Sequence, residues 1–114
     1  MQMFDVPTVS VDDIPADAVI LDVREDYEWA AGHIESAIHV PMNDLPARMN
    51  YEPGELTPEA TIVVACKMGG RSAQVTGWLN QQGFRALNLD GGMLAWATAH
   101  RPMVAEDGRT PTVA

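Results

Sequence analysis

Three apolar runs stand out along the chain. They cover residues 18–23 (Ala-Val-Ile-Leu-Asp-Val), 61–65 (Thr-Ile-Val-Val-Ala) and 86–89 (Ala-Leu-Asn-Leu). The first two are rich in Val and Ile and scarcely alternate polar with apolar positions, which is the pattern of strands covered on both faces in a parallel sheet. Residues 8–10 and 37–40 are shorter strand candidates. Between these runs the pattern turns helical. Residues 25–31 are good helix formers and stop at Gly32, a C-cap residue type. Residues 42–49 suit a short helix. The clearest helix spans 72–82, where Val75, Trp78 and Leu79 fall at i, i+3 and i+4 and Gly83 ends the run. Gly91 and Gly92 open a last helix over 93–99 that carries Trp96. Strands alternating with helices predict an α/β domain with a mostly parallel five-stranded sheet flanked by helices. Residues 52–60 hold two prolines, a glycine and three glutamates and read as a surface loop, and the tail from Pro102 reads as irregular.

Length and composition narrow the partners. A chain of 114 residues predicts one domain, and 46% hydrophobic with 20% charged residues is globular rather than disordered. The net charge of −9 argues against nucleic acid or an anionic membrane as partner, because both carry the same sign. One cysteine excludes an internal disulfide and an all-cysteine metal site. The first seven residues lack a basic region and an apolar stretch, so no signal peptide is expected. No apolar run reaches the roughly 18 residues of a membrane-spanning helix. The expectation is a soluble cytoplasmic protein with a reduced thiol.

That thiol sits in the most informative segment. A buried-type strand runs into Cys66-Lys67-Met68-Gly69-Gly70-Arg71-Ser72, and a helix begins near Ser72. Sites in open parallel sheets form beyond the carboxyl ends of strands, where Cys66 lies. Gly69 and Gly70 free the loop to turn N–H groups inward, and the following helix aims its positive end the same way. Such a cradle suits an anion. A Cys66 thiolate is one, and its pKa should fall below the usual value of about 8.5. Lys67 and Arg71 add positive charge and are two of only seven basic residues. A lone cysteine at a strand end is otherwise a small buried hydrophobe. Two cations, two glycines and a helix start beside it point instead to a reactive, anion-binding thiol.

The motif Cys66-x-x-Gly69-x-Arg71-Ser72 resembles the active-site loop of single-domain rhodaneses. Leu21-Asp22-Val23-Arg24-Glu25, Glu28, Gly32-His33-Ile34 and Ala37-Ile38-His39-Val40-Pro41 are similar to that family's N-terminal signature. Gly83-Phe84, Leu89-Asp90-Gly91-Gly92-Met93 and Trp96 are similar to its C-terminal one. The likeness covers about residues 9–101. It implies a rhodanese-type fold and sulfurtransferase chemistry. Cys66 would take a sulfane sulfur from a small anionic donor such as thiosulfate, become a persulfide, and pass the sulfur to cyanide or a thiol. Residues 67–72 would bind the substrate. Two half-reactions imply ping-pong kinetics, with loop N–H groups steadying the thiolate and the persulfide. No metal or organic cofactor is implied. The alternative within the family is a persulfide relay or interaction module that delivers sulfur to a protein partner. The fold also hosts phosphatases related to the cell-cycle dual-specificity enzymes, but these place five residues between Cys and Arg. Here there are four, which suits a sulfur atom better than a phosphate. Arsenate-type reduction commonly needs a resolving thiol, and this chain has no second cysteine.

Asp22 and Arg24 are the expected supporting residues. Asp22 could accept loop N–H groups, pair with Arg71, or cap the helix near Glu25. Arg24 could attract an anionic donor or pair with Glu28 at helical spacing. His33, His39 and His100 are scattered without metal-ligand spacing and read as structural. Trp78 and Trp96 are expected to face the sheet, and Trp29 the core edge. Met42 and Met93 read as filler, whereas Met68 lies in the loop and should line the pocket mouth.

Overall fold

The computed structural model describes residues 6–114. Residues 1–5, part of the segment searched above for a leader, lie outside the described residues. Five parallel strands form one sheet: β1 (Thr8–Val9), β2 (Val19–Asp22), β3 (Ile38–His39), β4 (Thr61–Ala65) and β5 (Arg85–Leu89). Their order across the sheet is β1-β5-β4-β2-β3, with β4 in the middle. Val64 pairs with Leu21 of β2 and with Asn88 of β5, so the carboxyl ends of the three central strands are level.

The side-chain alternation of β4 divides the core in two. Ile62, Val64 and Cys66 join Leu21, Val23, Leu45, Val75 and Leu79 on one face of the sheet. Val63 and Ala65 join Val11, Ile34, Leu89, Met93 and Trp96 on the other. That is why this strand is a continuous apolar run: both of its faces are covered. Helices α2 (Leu45–Tyr51) and α3 (Gly70–Gln81) cover the first face, and α4 (Gly92–Thr98) the second. Trp96 is buried as expected, and Trp78 is half-buried against the first cluster.

Several boundaries shift from the sequence expectation for local reasons. Helix α1 (Asp26–Ala31) starts one residue late because Glu25 is its cap: Glu25 and Glu28 form a reciprocal capping box. The segment expected as one helix over 42–49 is a 3₁₀ turn (Met42–Asp44) followed by α2, with Pro46 in the first turn, where a proline removes no needed N–H. Helix α3 begins two residues early, at Gly70, because Gly69 adopts φ 117° and ends the loop there. Gly32 has φ 174°, ordinary extended backbone, so it is no left-handed cap. Its bareness matters for another reason: a Cβ there would overlap the Thr112 carbonyl. The tail is irregular, as expected, but it packs. Val104 pairs with His33, the Thr112 N–H donates to the Ala31 carbonyl (2.9 Å), and Met103 and Val113 lie on the second cluster. In the 52–60 loop, Leu56 is buried in the first cluster and anchors it.

Candidate active site

Cys66 follows the last residue of β4, and its side chain points to the α3 face of the sheet, 1% exposed. The Gly69 N–H donates to its Sγ at 3.1 Å, and the Ser72 hydroxyl lies 3.2 Å away. Burial pushes the thiol up. The Ser72 hydroxyl and the main-chain N–H groups of Ser72, Gly69 and Met68 together outweigh burial and hold Cys66 below its ordinary value. The expected fall is therefore present. Its source is neutral donors more than cations.

Carbonyl placement explains why those N–H groups face inward. The Cys66 carbonyl accepts the Met93 N–H (2.8 Å), and the Lys67 carbonyl accepts the Leu94 N–H (3.1 Å), both from the first turn of α4. The Gly69 carbonyl accepts from Ala73 N–H (3.0 Å) and from Asn88 Nδ2 (3.3 Å). With these carbonyls bonded outward, the loop curls with its donors toward Sγ. Gly92 makes the approach of α4 possible: it has φ 57°, and a Cβ there would overlap the Cys66 and Lys67 carbonyls.

Arg71 turns away from the role of a free anion receptor. Its guanidinium makes a bidentate pair with Glu28, Nη1 to Oε1 at 2.7 Å and Nη2 to Oε2 at 2.9 Å. Glu28 is buried and Arg71 is about a third exposed. The Glu28 carboxylate raises the Arg71 pKa further, and the nearby Cys66 adds to this. Lys67 is half-buried and has no ion pair among the described residues. Met68 is 68% exposed beside the loop, and together with Gly69, Gly70, Thr8, Asn88, Asp90 and Gly91 it lines a shallow pocket that Cys66 does not line.

Asp22 and Arg24 form a structural ion pair with each other rather than with the partners the sequence suggested. Asp22 neither pairs with Arg71 nor accepts from the loop, and it is not the helix cap. Its carboxylate instead holds Arg24, with Nη2 to Oδ2 at 2.7 Å, Nε to Oδ1 at 3.0 Å and the Arg24 N–H to Oδ1 at 3.1 Å. Arg24 is fully buried and cannot meet a donor molecule. It reaches main-chain carbonyls, Gly32 at 2.8 Å and Glu28 at 3.4 Å, and not the Glu28 carboxylate, which Arg71 occupies. A buried guanidinium is tolerated because its donors are paired in this way. The pair ties the end of β2 to the end of α1 and so sets the position of Glu28.

His33 and His39 are structural, as expected, and His100 is exposed just past α4. His33 and His39 both stack on Trp29, at 3.6 and 4.7 Å between ring centroids. His33 Nδ1 bonds the Trp29 carbonyl (2.7 Å), and His39 Nε2 bonds the Arg24 carbonyl (2.8 Å). Among the described residues no cluster of His, Cys, Asp or Glu could hold a metal.

Two residues at the site were not assigned a role in it from the sequence. Glu28 stood as a signature residue and as a partner for Arg24; its capping-box spacing from Glu25 announces its helix position but not Arg71. Asn88 was read as part of an apolar strand. The one signal was its polarity inside a run covered on both faces. Asn88 is 6% exposed and accepts the Ser72 hydroxyl at 2.5 Å.

Residues 10–99 match the family model of the rhodanese-like domain. The chain belongs to the rhodanese-like family. A sulfurtransferase of Allochromatium vinosum is 40% identical to it over 93 residues, which is 81% of this chain and 83% of that protein. The rhodanese-related protein of Thermoplasma volcanium superposes with a TM-score of 0.79 at 27% identity, over 88% of this chain and 99% of that one. A thiosulfate sulfurtransferase of Pseudomonas aeruginosa superposes with a TM-score of 0.74 at 26% identity, over 93% of this chain but 21% of that longer one. The rhodanese-type α/β fold and a sulfur-transfer role accordingly hold for this chain. The four-residue spacing from Cys66 to Arg71 is that of the rhodanese loop described above.

Proposed function

We propose that this rhodanese-like domain transfers sulfane sulfur through a Cys66 persulfide, with thiosulfate as a donor and cyanide or a thiol as acceptor. The observation that carries this is the single thiol of the chain, held below its ordinary pKa at the floor of a donor-lined loop. In the first half-reaction the Cys66 thiolate attacks the outer sulfur of thiosulfate. The sulfur–sulfur bond of the donor breaks, and sulfite leaves with its electron pair. In the second, the acceptor attacks the outer sulfur of the Cys66 persulfide. The Cys66–sulfur bond breaks, and the thiolate is restored as thiocyanate or a new persulfide departs. Loop N–H groups serve both states, since each places negative sulfur in the same cradle. Lys67, beside Cys66 and without an ion pair among the described residues, is the cation for an anionic donor.

Intact-mass spectrometry tests the cycle. Incubation with thiosulfate should add one sulfur to the Cys66 peptide, and cyanide should remove it. Cys66→Ser should show no adduct and no turnover with the fold retained; activity in that variant refutes the assignment. A protein acceptor in place of cyanide is the second reading. Met68 (68% exposed) and Leu94 (39% exposed) favour it, because they make an apolar rim on a shared groove next to the loop. Faster sulfur loss to a protein thiol than to cyanide at equal concentration would select it.

A further inference from the structure

The hydrogen-bond chain behind Cys66 has one proton too few for its acceptors once Cys66 is a thiolate. Ser72 is wholly buried, and its hydroxyl has a single hydrogen. Two atoms compete for it: Asn88 Oδ1 at 2.5 Å and Cys66 Sγ at 3.2 Å. The orientation of the Asn88 amide is set by its other end, where Nδ2 donates to the Gly69 carbonyl (3.3 Å); a flipped amide would set oxygen against oxygen there. Oδ1 therefore faces Ser72 as a pure acceptor. With the Ser72 hydrogen on Asn88, the hydrogen in the Cys66–Ser72 contact must come from the thiol.

We propose that Asn88 is a positioning residue for sulfur transfer, one that holds the Ser72 hydroxyl hydrogen away from Cys66 while the cysteine is a thiol and releases it when the sulfur becomes anionic. This rests on Cys66 being the nucleophile proposed above. On ionisation the thiol proton leaves to solvent. The Ser72 hydroxyl then rotates to the thiolate, and Asn88 Oδ1 is left buried without a donor. When the outer sulfur is added, the negative charge moves outward along the persulfide, and the hydroxyl can return to Asn88. Asn88 thus opposes the bare thiolate and spares both the thiol and the persulfide. A thiolate stabilised less is a stronger nucleophile.

The charged groups on the elements around Cys66 do not supply this effect. Asp22 and Arg24 at the end of β2 bind each other, and Glu28 of α1 binds Arg71. Lys67 and Asp90 lie at the ends of β4 and β5, Asp90 exposed and of opposite sign to Lys67. None of them touches the Ser72 hydroxyl among the described hydrogen bonds.

The single cysteine makes the test direct. The pH dependence of thiolate absorbance, read against Cys66→Ser, and of iodoacetamide alkylation gives the ionisation of Cys66 alone. Asn88→Leu removes the competing acceptor and should lower the Cys66 pKa by about one unit. Its limiting alkylation rate at high pH should fall about threefold, following the lower basicity of the thiolate. Ser72→Ala should raise the pKa, and adding Asn88→Leu to it should change nothing, because the Ala73 N–H still holds the Gly69 carbonyl and Asn88 reaches Cys66 only through Ser72. Asn88→Val is the strand-compatible alternative, with the same expectation. Asn88→Asp keeps an acceptor, adds charge, and should raise the pKa. A purely structural Asn88 would let the loop donors drift from Sγ, raising the pKa in Asn88→Leu and in the Ser72→Ala background alike. That result, or a fall in Asn88→Asp, overturns the proposal. Absence of a sulfur adduct on the wild-type protein would instead overturn the sulfurtransferase reading and leave the titrations standing.

Discussion

Replacing Glu28 by Gln isolates the ion pair that neutralises Arg71. Glutamine keeps one oxygen, enough for the Glu25 N–H that Glu28 accepts at 2.9 Å in the capping box. The other oxygen becomes an amide donor facing a guanidinium donor, so the bidentate pair of 2.7 and 2.9 Å is lost. Breaking a fully buried pair costs about 3–5 kcal/mol. Arg71 is about a third exposed, and water takes up part of that loss. About 2 kcal/mol is expected, which for a chain of this size lowers Tm by roughly 8 °C. The pH dependence carries a second signature. The Arg71 hydrogen bonds hold the Glu28 carboxyl below its ordinary value, against burial, which pushes it up. A depressed folded-state pKa stabilises fully above the unfolded value of about 4.3 and is lost as pH falls through the folded value. Thermal melts followed by circular dichroism should therefore separate wild type from Glu28→Gln at neutral pH and converge in acid. Freed Arg71 should also lower the Cys66 pKa, speeding alkylation at neutral pH. A variant with wild-type Tm at neutral pH, or a gap that persists unchanged in acid, refutes the assignment of this pair.

The remaining predictions address the scaffold and the mouth. Asp22→Ala strips the partner from a fully buried guanidinium, and denaturant unfolding should show a loss of about 3–5 kcal/mol; a loss no larger than that of a surface substitution would mean the main-chain carbonyls suffice. Gly92→Ala drives a Cβ into the Cys66 and Lys67 carbonyls, and about 3 kcal/mol of stability should go together with slowed iodoacetamide alkylation; unchanged alkylation would show that the loop does not depend on the approach of α4. Lys67→Ala should raise KM for thiosulfate about fivefold with kcat little changed, since it removes a ground-state contact to the dianion. Steady-state kinetics with an unchanged KM would remove Lys67 from substrate binding.

How far the sequence discloses this molecule depends on how local each feature is. Strand β4 is legible to the residue, because burial on both faces leaves an unbroken apolar run that opens at Thr61 and closes where the Cys66 loop begins. The loop is legible too, since Cys66, Gly69 and Ser72 are close in the chain and act on one another directly. The partners are harder. Arg71 meets Glu28 across 43 residues, and Ser72 meets Asn88 across 16. Such contacts exist only once α1 and β5 are placed by the sheet, and no spacing rule covers them. The pairing of Arg24 with Glu28 at i+4 fails for a related reason. Arg24 lies before α1, outside the helical spacing rule, while the strand end sets Asp22 beside it. Helix boundaries moved where a cap decided them: Glu25 and Gly69 each took the place of a residue that propensity alone would have made helical or loop.

The charge distribution and the loop geometry converge on one design. In a chain of net charge −9, an anionic sulfur cannot rely on the surrounding field. The two arginines nearest the site do not change this, because Asp22 and Glu28 cancel them. What remains around Sγ is a set of neutral dipoles: N–H groups of the loop and one hydroxyl. Their orientation is enforced from behind by the first turn of α4, which binds the Cys66 and Lys67 carbonyls, and by the Ala73 N–H, which binds that of Gly69. Neutral donors are fixed by covalent geometry and do not leave with a product, as a mobile counter-ion would. On the proposed cycle the loop N–H groups face the thiolate, the persulfide and the returning thiolate alike, and only the Ser72 hydroxyl turns. Arg71 then serves the loop chiefly as a strut, its guanidinium fastening the start of α3 to α1, and Lys67 is left as the one cation free to meet an incoming anion among the described residues of the loop.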